Sequence, residues 1–142
     1  MNNDRPSSPT LDQRRALHAW NAILSFNKAE PGQKHKYDSD AKEYASEAKK
    51  LPMRIKAAGL GQALCFILAK AKDKKPNLKR IHEHLTDWII TQRPMHASVP
   101  TSLMESIMQG DADFLRRATD EALTYLQWLN RFAEAEGLTD DK

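Results

Sequence analysis

Apolar residues recur every three or four positions along most of this chain. No stretch alternates apolar with polar while enriched in β-branched residues, and valine occurs once, at Val99, so the pattern predicts helices and no strands. Thr10, Leu11, Asp12 and Gln13 read as a capping box. The helix it starts is predicted to run to about Ala29, to bury a stripe of Ala16, Leu17, Trp20, Ile23 and Leu24, and to stop at Pro31-Gly32. A second helix begins near Asp38 to Asp40 and puts Tyr44, Ala45, Ala48, Leu51 and Ile55 on one side. Pro52 lacks a backbone donor and restricts Leu51. It therefore predicts a kink or break, with a short helical piece from Pro52 to Ala57 and Gly59 as a left-handed corner.

Leu60 to Ala71 is apolar on almost every side and is expected at the centre of the domain. Beyond the Lys72 to Pro76 linker, Leu78, Ile81, Leu85, Trp88 and Ile89 form the cleanest amphipathic stripe, on a helix ending around Arg93-Pro94. Pro100 suits the first position of a short helix through Met108, closed by Gly110. Asp111 can cap the last and longest helix, whose stripe is Leu115, Ala118, Ala122, Leu126, Leu129 and Ala133. The expected architecture is all-α: a compact bundle of five to seven helices forming a single domain over residues 1–142, with 1–9 and 138–142 as flexible tails.

Composition narrows the class. The apolar stretches fall short of the roughly 20 residues that span a bilayer, and Met1 to Pro9 has no apolar leader, so a cytoplasmic protein with no membrane contact is expected. The single cysteine, Cys65, can form neither an internal disulfide nor a zinc site on its own. It lies between Leu64 and Phe66 in the apolar segment, where a buried thiol would have a raised pKa and little nucleophilicity.

Candidate chemistry is sparse. His82 and His84 are about 200° apart on a helix and cannot share an ion, and although His84 and Asp87 could pair, HExxH is absent. A hydrolytic site on His84 and Asp87 would therefore lack a motif. Gly59-Leu60-Gly61 follows no strand and matches no phosphate-loop spacing. Asp113, Asp120 and Glu121 each have an arginine four residues away and read as surface ion pairs with Arg117, Arg116 and Arg117. No catalytic residue, metal site or cofactor is expected.

Charge is the remaining signal. Lys49 to Arg80 holds ten Lys/Arg and one acid, Asp73, whereas from Ile81 onward five Lys/Arg face eleven Asp/Glu. Lysines commonly serve only to solvate a surface. Lys42, Lys49 and Lys56, however, are spaced by seven, with Lys50 and Arg54 beside them. They would line up if the helix continues past Pro52, as tracking a phosphate backbone requires. Few aromatic or amide side chains accompany them, so backbone binding without sequence preference is expected.

Three blocks resemble a known family. Tyr44 through Phe66 (YASEAKKLPMRIKAAGLGQALCF), Leu85 to Ile90 with Leu-x-x-Trp-Ile, and Phe114 to Glu136 (FLRRATDEALTYLQWLNRFAEAE) are together similar to the small-subunit family of the Cmr (type III-B) CRISPR effector complex, over about Leu11 to Glu136. The resemblance implies a non-catalytic helical subunit in antiviral defence. Its copies would stack beside the backbone subunits and large subunit of the complex, along the guide and target RNA. It implies phosphate contacts from Lys49, Lys50, Arg54 and Lys56, then from Arg14 and Arg15, with Arg116, Arg117 and Arg131 as weaker candidates. The alternative is a protein–protein assembly adaptor that does not touch RNA.

Overall fold

The computed structural model describes residues 7–92 and 102–140, and these are all-α. Six helices carry the fold: α1 (Leu11–Leu24), α2 (Ser39–Ala58), α3 (Leu60–Asp73), α4 (Lys79–Thr86), α5 (Leu103–Gln109) and α6 (Ala112–Ala135). A 3₁₀ turn, Pro76–Leu78, leads into α4, and a π turn, Asp87–Gln92, prolongs it. The long α6 packs along α1 and α2, and α3 and α4 close the other side of α2.

The start signals operate as expected. Thr10 Oγ1 accepts from the Gln13 amide at 3.0 Å, and Gln13 Oε1 accepts from the Thr10 amide at 2.7 Å. Asp38 and Asp111 cap α2 and α6 through their carboxylates. Gly59 has φ of +90°, a value that favours glycine, and joins α2 directly to α3. The stripes expected on α2 and around α4 are both buried.

Other boundaries differ. α1 stops at Leu24, five residues short of the expected end, because side chains beyond it bond to nearby backbone in place of helical partners. Ser25 Oγ donates to the Ala22 carbonyl at 2.6 Å, and Asn27 Oδ1 accepts from the amides of Ala29 and Lys36. The buried face of α1 is also rotated: Arg15, Ala19, Ala22 and Ile23 face inward, while Leu17 is 59% exposed. In α6, Phe114 takes the inward place expected of Leu115. α3 is central on one face only. Leu60, Leu64 and Ile67 are buried, but Cys65 and Phe66 look outward, so Cys65 is not the core thiol its neighbours suggested. The short helix α5 starts at Leu103 behind a Ser102 cap, and both Pro100 and the expected helix end at Arg93-Pro94 lie outside the described residues. Part of the supposed tail is a built cap: Gly137 (φ +76°) donates to the Glu134 carbonyl and Leu138, which is buried, to that of Ala133.

α2 runs continuously through Pro52, without the expected break or separate short piece. Proline deprives the carbonyl four residues back of its helical donor, and here that carbonyl belongs to Ala48, a core residue. Asn130 of α6 supplies the missing bond, Nδ2 donating to the Ala48 oxygen at 3.1 Å. A side chain from another helix thus repairs α2 where its own sequence would interrupt it.

Candidate nucleic-acid interface

The continuity of α2 decides the geometry of the cationic segment. Seven residues on an α-helix return to within about 20° of the same direction and advance about 10 Å. Lys42, Lys49 and Lys56 therefore form one line along the outer face, with exposed Ser46 and Met53 between them and Lys50 about 100° to one side. Lys42, Lys50 and Lys56 are exposed. The ammonium of Lys49 donates to the main-chain carbonyl of Asp140, which brings the C-terminal segment against the flank of this row.

Arg54 is held differently. Its guanidinium pairs with Glu47, which also takes Lys70 Nζ at 2.6 Å. Glu47 is a buried position of α2. Burial works to raise its carboxyl pKa, but the hydrogen bonds from Lys70 and Arg54 outweigh it and leave the pKa below the usual value. The Arg54 guanidinium also lies 4.2 Å from the ring centroid of Phe66, and Lys70 Nζ lies 5.3 Å from it.

Of the α1 candidates, Arg14 is exposed and free to face a ligand, but Arg15 is not. Arg15 is buried, pairs with Glu121 through Nε and through Nη2 at 2.9 Å, and reaches Asp12 at 2.6 Å. Trp88 Nε1 adds a third bond to Glu121 at 2.9 Å, and Trp128 Nε1 donates to Asp12 at 3.0 Å. The Glu121 bonds raise the Arg15 pKa further, so this cation is a structural pin between α1 and α6. The resemblance implied Arg15 as a phosphate contact, whereas its guanidinium is engaged inside the bundle here. Glu121 likewise is no partner of Arg117. Arg116 and Arg117 both bond to Asp113, at 2.8 and 3.0 Å, leaving Asp120 without the expected Arg116. Arg131 is paired with Glu134 at 3.2 Å.

A second group of exposed lysines, Lys72, Lys74, Lys75 and Lys79, surrounds the corner between α3 and α4. The charge count included them, but they lack the helical spacing that singled out the α2 row. Phe66 was missed because its apolar neighbours marked it as core.

His18, His82 and His84 serve the interior. His84 Nδ1 meets the Tyr44 hydroxyl at 2.7 Å, and burial, reinforced by Arg80 and His18, pushes its pKa down to about 4. Asp87, which by spacing could have paired with His84, pairs with His18 Nε2 at 2.6 Å, and His18 Nδ1 reaches the Tyr125 hydroxyl at 2.7 Å. His82 Nε2 accepts from the Met104 amide at 3.2 Å, away from His84. Among the described residues no group of three or more His, Cys, Asp or Glu could hold a metal ion, and no helix is long and apolar enough to cross a membrane.

Comparison with known proteins places this geometry. The family model described as CRISPR-associated protein (Cas_Cmr5) matches residues 11–136. The crystal structure of a CRISPR-associated Cmr5 family protein from Thermus thermophilus is similar, with a TM-score of 0.67 at 25% sequence identity, covering 90% of this chain and 97% of that one.

Proposed function

The chain belongs to the CRISPR-associated Cmr5 family, small subunits of the Cmr (type III-B) effector complex, and on that premise we propose that it is a non-catalytic subunit whose α2 face runs along RNA phosphates. The observation that carries this reading is the unbroken α2, which aligns Lys42, Lys49 and Lys56 and sets Lys50 beside them. A row of lysines neutralises successive phosphates without reading bases, because each contact releases condensed counterions. In this reading copies of the chain stack in the cytoplasm beside the backbone and large subunits, each adding its row to the path of the guide–target RNA. Summation over copies lets weak individual contacts hold the strand.

Target-RNA binding by the assembled complex, measured at several salt concentrations, tests the proposal. Lys42, Lys50 and Lys56 are the residues to change to alanine together, because removing Arg54 would strip a partner from buried Glu47. Affinity should fall, and the slope of log K against log salt should become shallower by about 0.7 for each single-strand phosphate no longer neutralised. An unchanged slope in a normally assembled complex would refute phosphate contact.

The alternative is an assembly adaptor with no RNA contact, and one observation favours it. Ala16, Leu17 and Trp20 of α1 and Phe132 and Ala135 of α6 line an open apolar groove on another face. The same salt titration separates the two readings.

A further inference from the structure

The α2 lysines offer charge alone, whereas the surface beside them combines charge with an aromatic ring. Phe66 projects from the outer face of α3 and is 45% exposed, although its neighbours Leu64 and Ile67 are buried. Two cations from different helices converge on it: Arg54 of α2, 4.2 Å from the ring centroid, and Lys70 of α3, at 5.3 Å. Neither is loosely placed, since both are ion-paired to the same buried carboxylate, Glu47. Two cations and one anion leave this cluster with a net positive charge, with exposed Lys50 one helical turn from Arg54.

We propose that Phe66 is a stacking platform for an unpaired RNA base on the ring face not taken by the Arg54 guanidinium, with Arg54 and Lys70 held against the ring to receive the flanking phosphates. The inference rests on the RNA-contact reading above and adds a second kind of contact to it. A base presents a flat π-face that any aromatic ring can stack on, and the backbone attached to it presents negative charge. A half-exposed ring backed by anchored cations matches both. An apolar protein side chain seated on Phe66 would instead strip water from two charged groups and return no hydrogen bonds. A base held in a duplex has both faces covered by its neighbours, so the occupant is a splayed or single-stranded nucleotide.

The test uses the assembled complex containing full-length chain and a target RNA with 2-aminopurine placed at successive positions. Phe66→Leu keeps apolar bulk without a π-face, and Phe66→Trp keeps the π-face. Loss of one stacked base weakens binding roughly 5- to 150-fold. Phe66→Leu is expected to show that loss with an unchanged salt slope, and Phe66→Trp to bind like the native chain. At least one 2-aminopurine position should be quenched with Phe66 and bright with Phe66→Leu. If Phe66→Leu matches the native chain in affinity and fluorescence while the Lys42, Lys50 and Lys56 variant still loses affinity, the platform falls and the phosphate row stands. If neither variant changes binding, both readings fall. Reduced incorporation of Phe66→Leu into the complex, with RNA affinity of the assembled fraction unchanged, would make the ring a protein contact and overturn the proposal.

Discussion

The proline in α2 and the asparagine in α6 form a pair whose coupling can be measured. Replacing Asn130 by leucine, a side chain of similar shape, removes the donor that satisfies the Ala48 carbonyl. An orphaned buried carbonyl costs about 1–3 kcal/mol. Asn130 also carries a burden of its own, since its Oδ1 is buried and has no hydrogen-bond partner among the described residues. Losing that oxygen returns about 1 kcal/mol, so Asn130→Leu should destabilise the native chain by a net of up to ~2 kcal/mol. Pro52→Ala changes the sign. Residue 52 regains an N–H that can reach the Ala48 carbonyl along the helix, the ring clash disappears, and Asn130 becomes redundant. In that background Asn130→Leu should be neutral or stabilising by up to about 1 kcal/mol, a coupling of about 2 kcal/mol between positions far apart in sequence. Urea unfolding of the four proteins, followed by circular dichroism, measures each contribution. Additive costs, or a loss on Asn130→Leu that is as large in the Pro52→Ala background as in the native chain, would refute the account.

Three further outcomes are expected. His84 should make the fold acid-sensitive: a histidine near 6.5 in the unfolded chain but about 4 when folded takes its proton mainly on unfolding. Stability should therefore decline by about 3 kcal/mol as pH falls from 7 towards 4, and His84→Gln should flatten that slope in a pH series of urea melts. Arg15→Ala removes two hydrogen bonds from buried Glu121, whose bond from Trp88 remains, and should cost about 3 kcal/mol, against less than about 0.5 kcal/mol for exposed Arg14→Ala; equal melting temperatures would contradict the ion-pair assignment. Cys65, on the outer face of α3, should react with a thiol reagent in the native chain nearly as fast as in urea, and strong protection would mean that this face is covered.

The sequence was most informative where one physical signal dominated. Thr10 with Gln13, Asp111 before α6, and the stripe from Leu78 to Ile89 each depend on neighbours within two or three turns, and each was legible. Errors arose where a distant partner overruled the local pattern. Nothing near Pro52 announces Asn130, so a break was the sound local expectation. The rotated face of α1 follows from Glu121, more than a hundred residues away, drawing Arg15 inward; a stripe built only from apolar side chains could not include an arginine. The π turn from Asp87 to Gln92 is of the same kind, allowing Trp88, Ile89 and Ile90 to be buried in succession, which a regular helix resists. The α2 row was legible as spacing. Arg54 was legible as a charge, but its place in the Glu47 cluster and its contact with Phe66 were not, because both arise from the packing of α3 on α2.

The Schellman cap of α6 has a practical consequence through Lys49. By turning the chain back at Gly137, it lays Asp140 against that lysine. An acidic segment tethered close to Asp140 would therefore lie beside the cationic row and compete electrostatically with RNA for it.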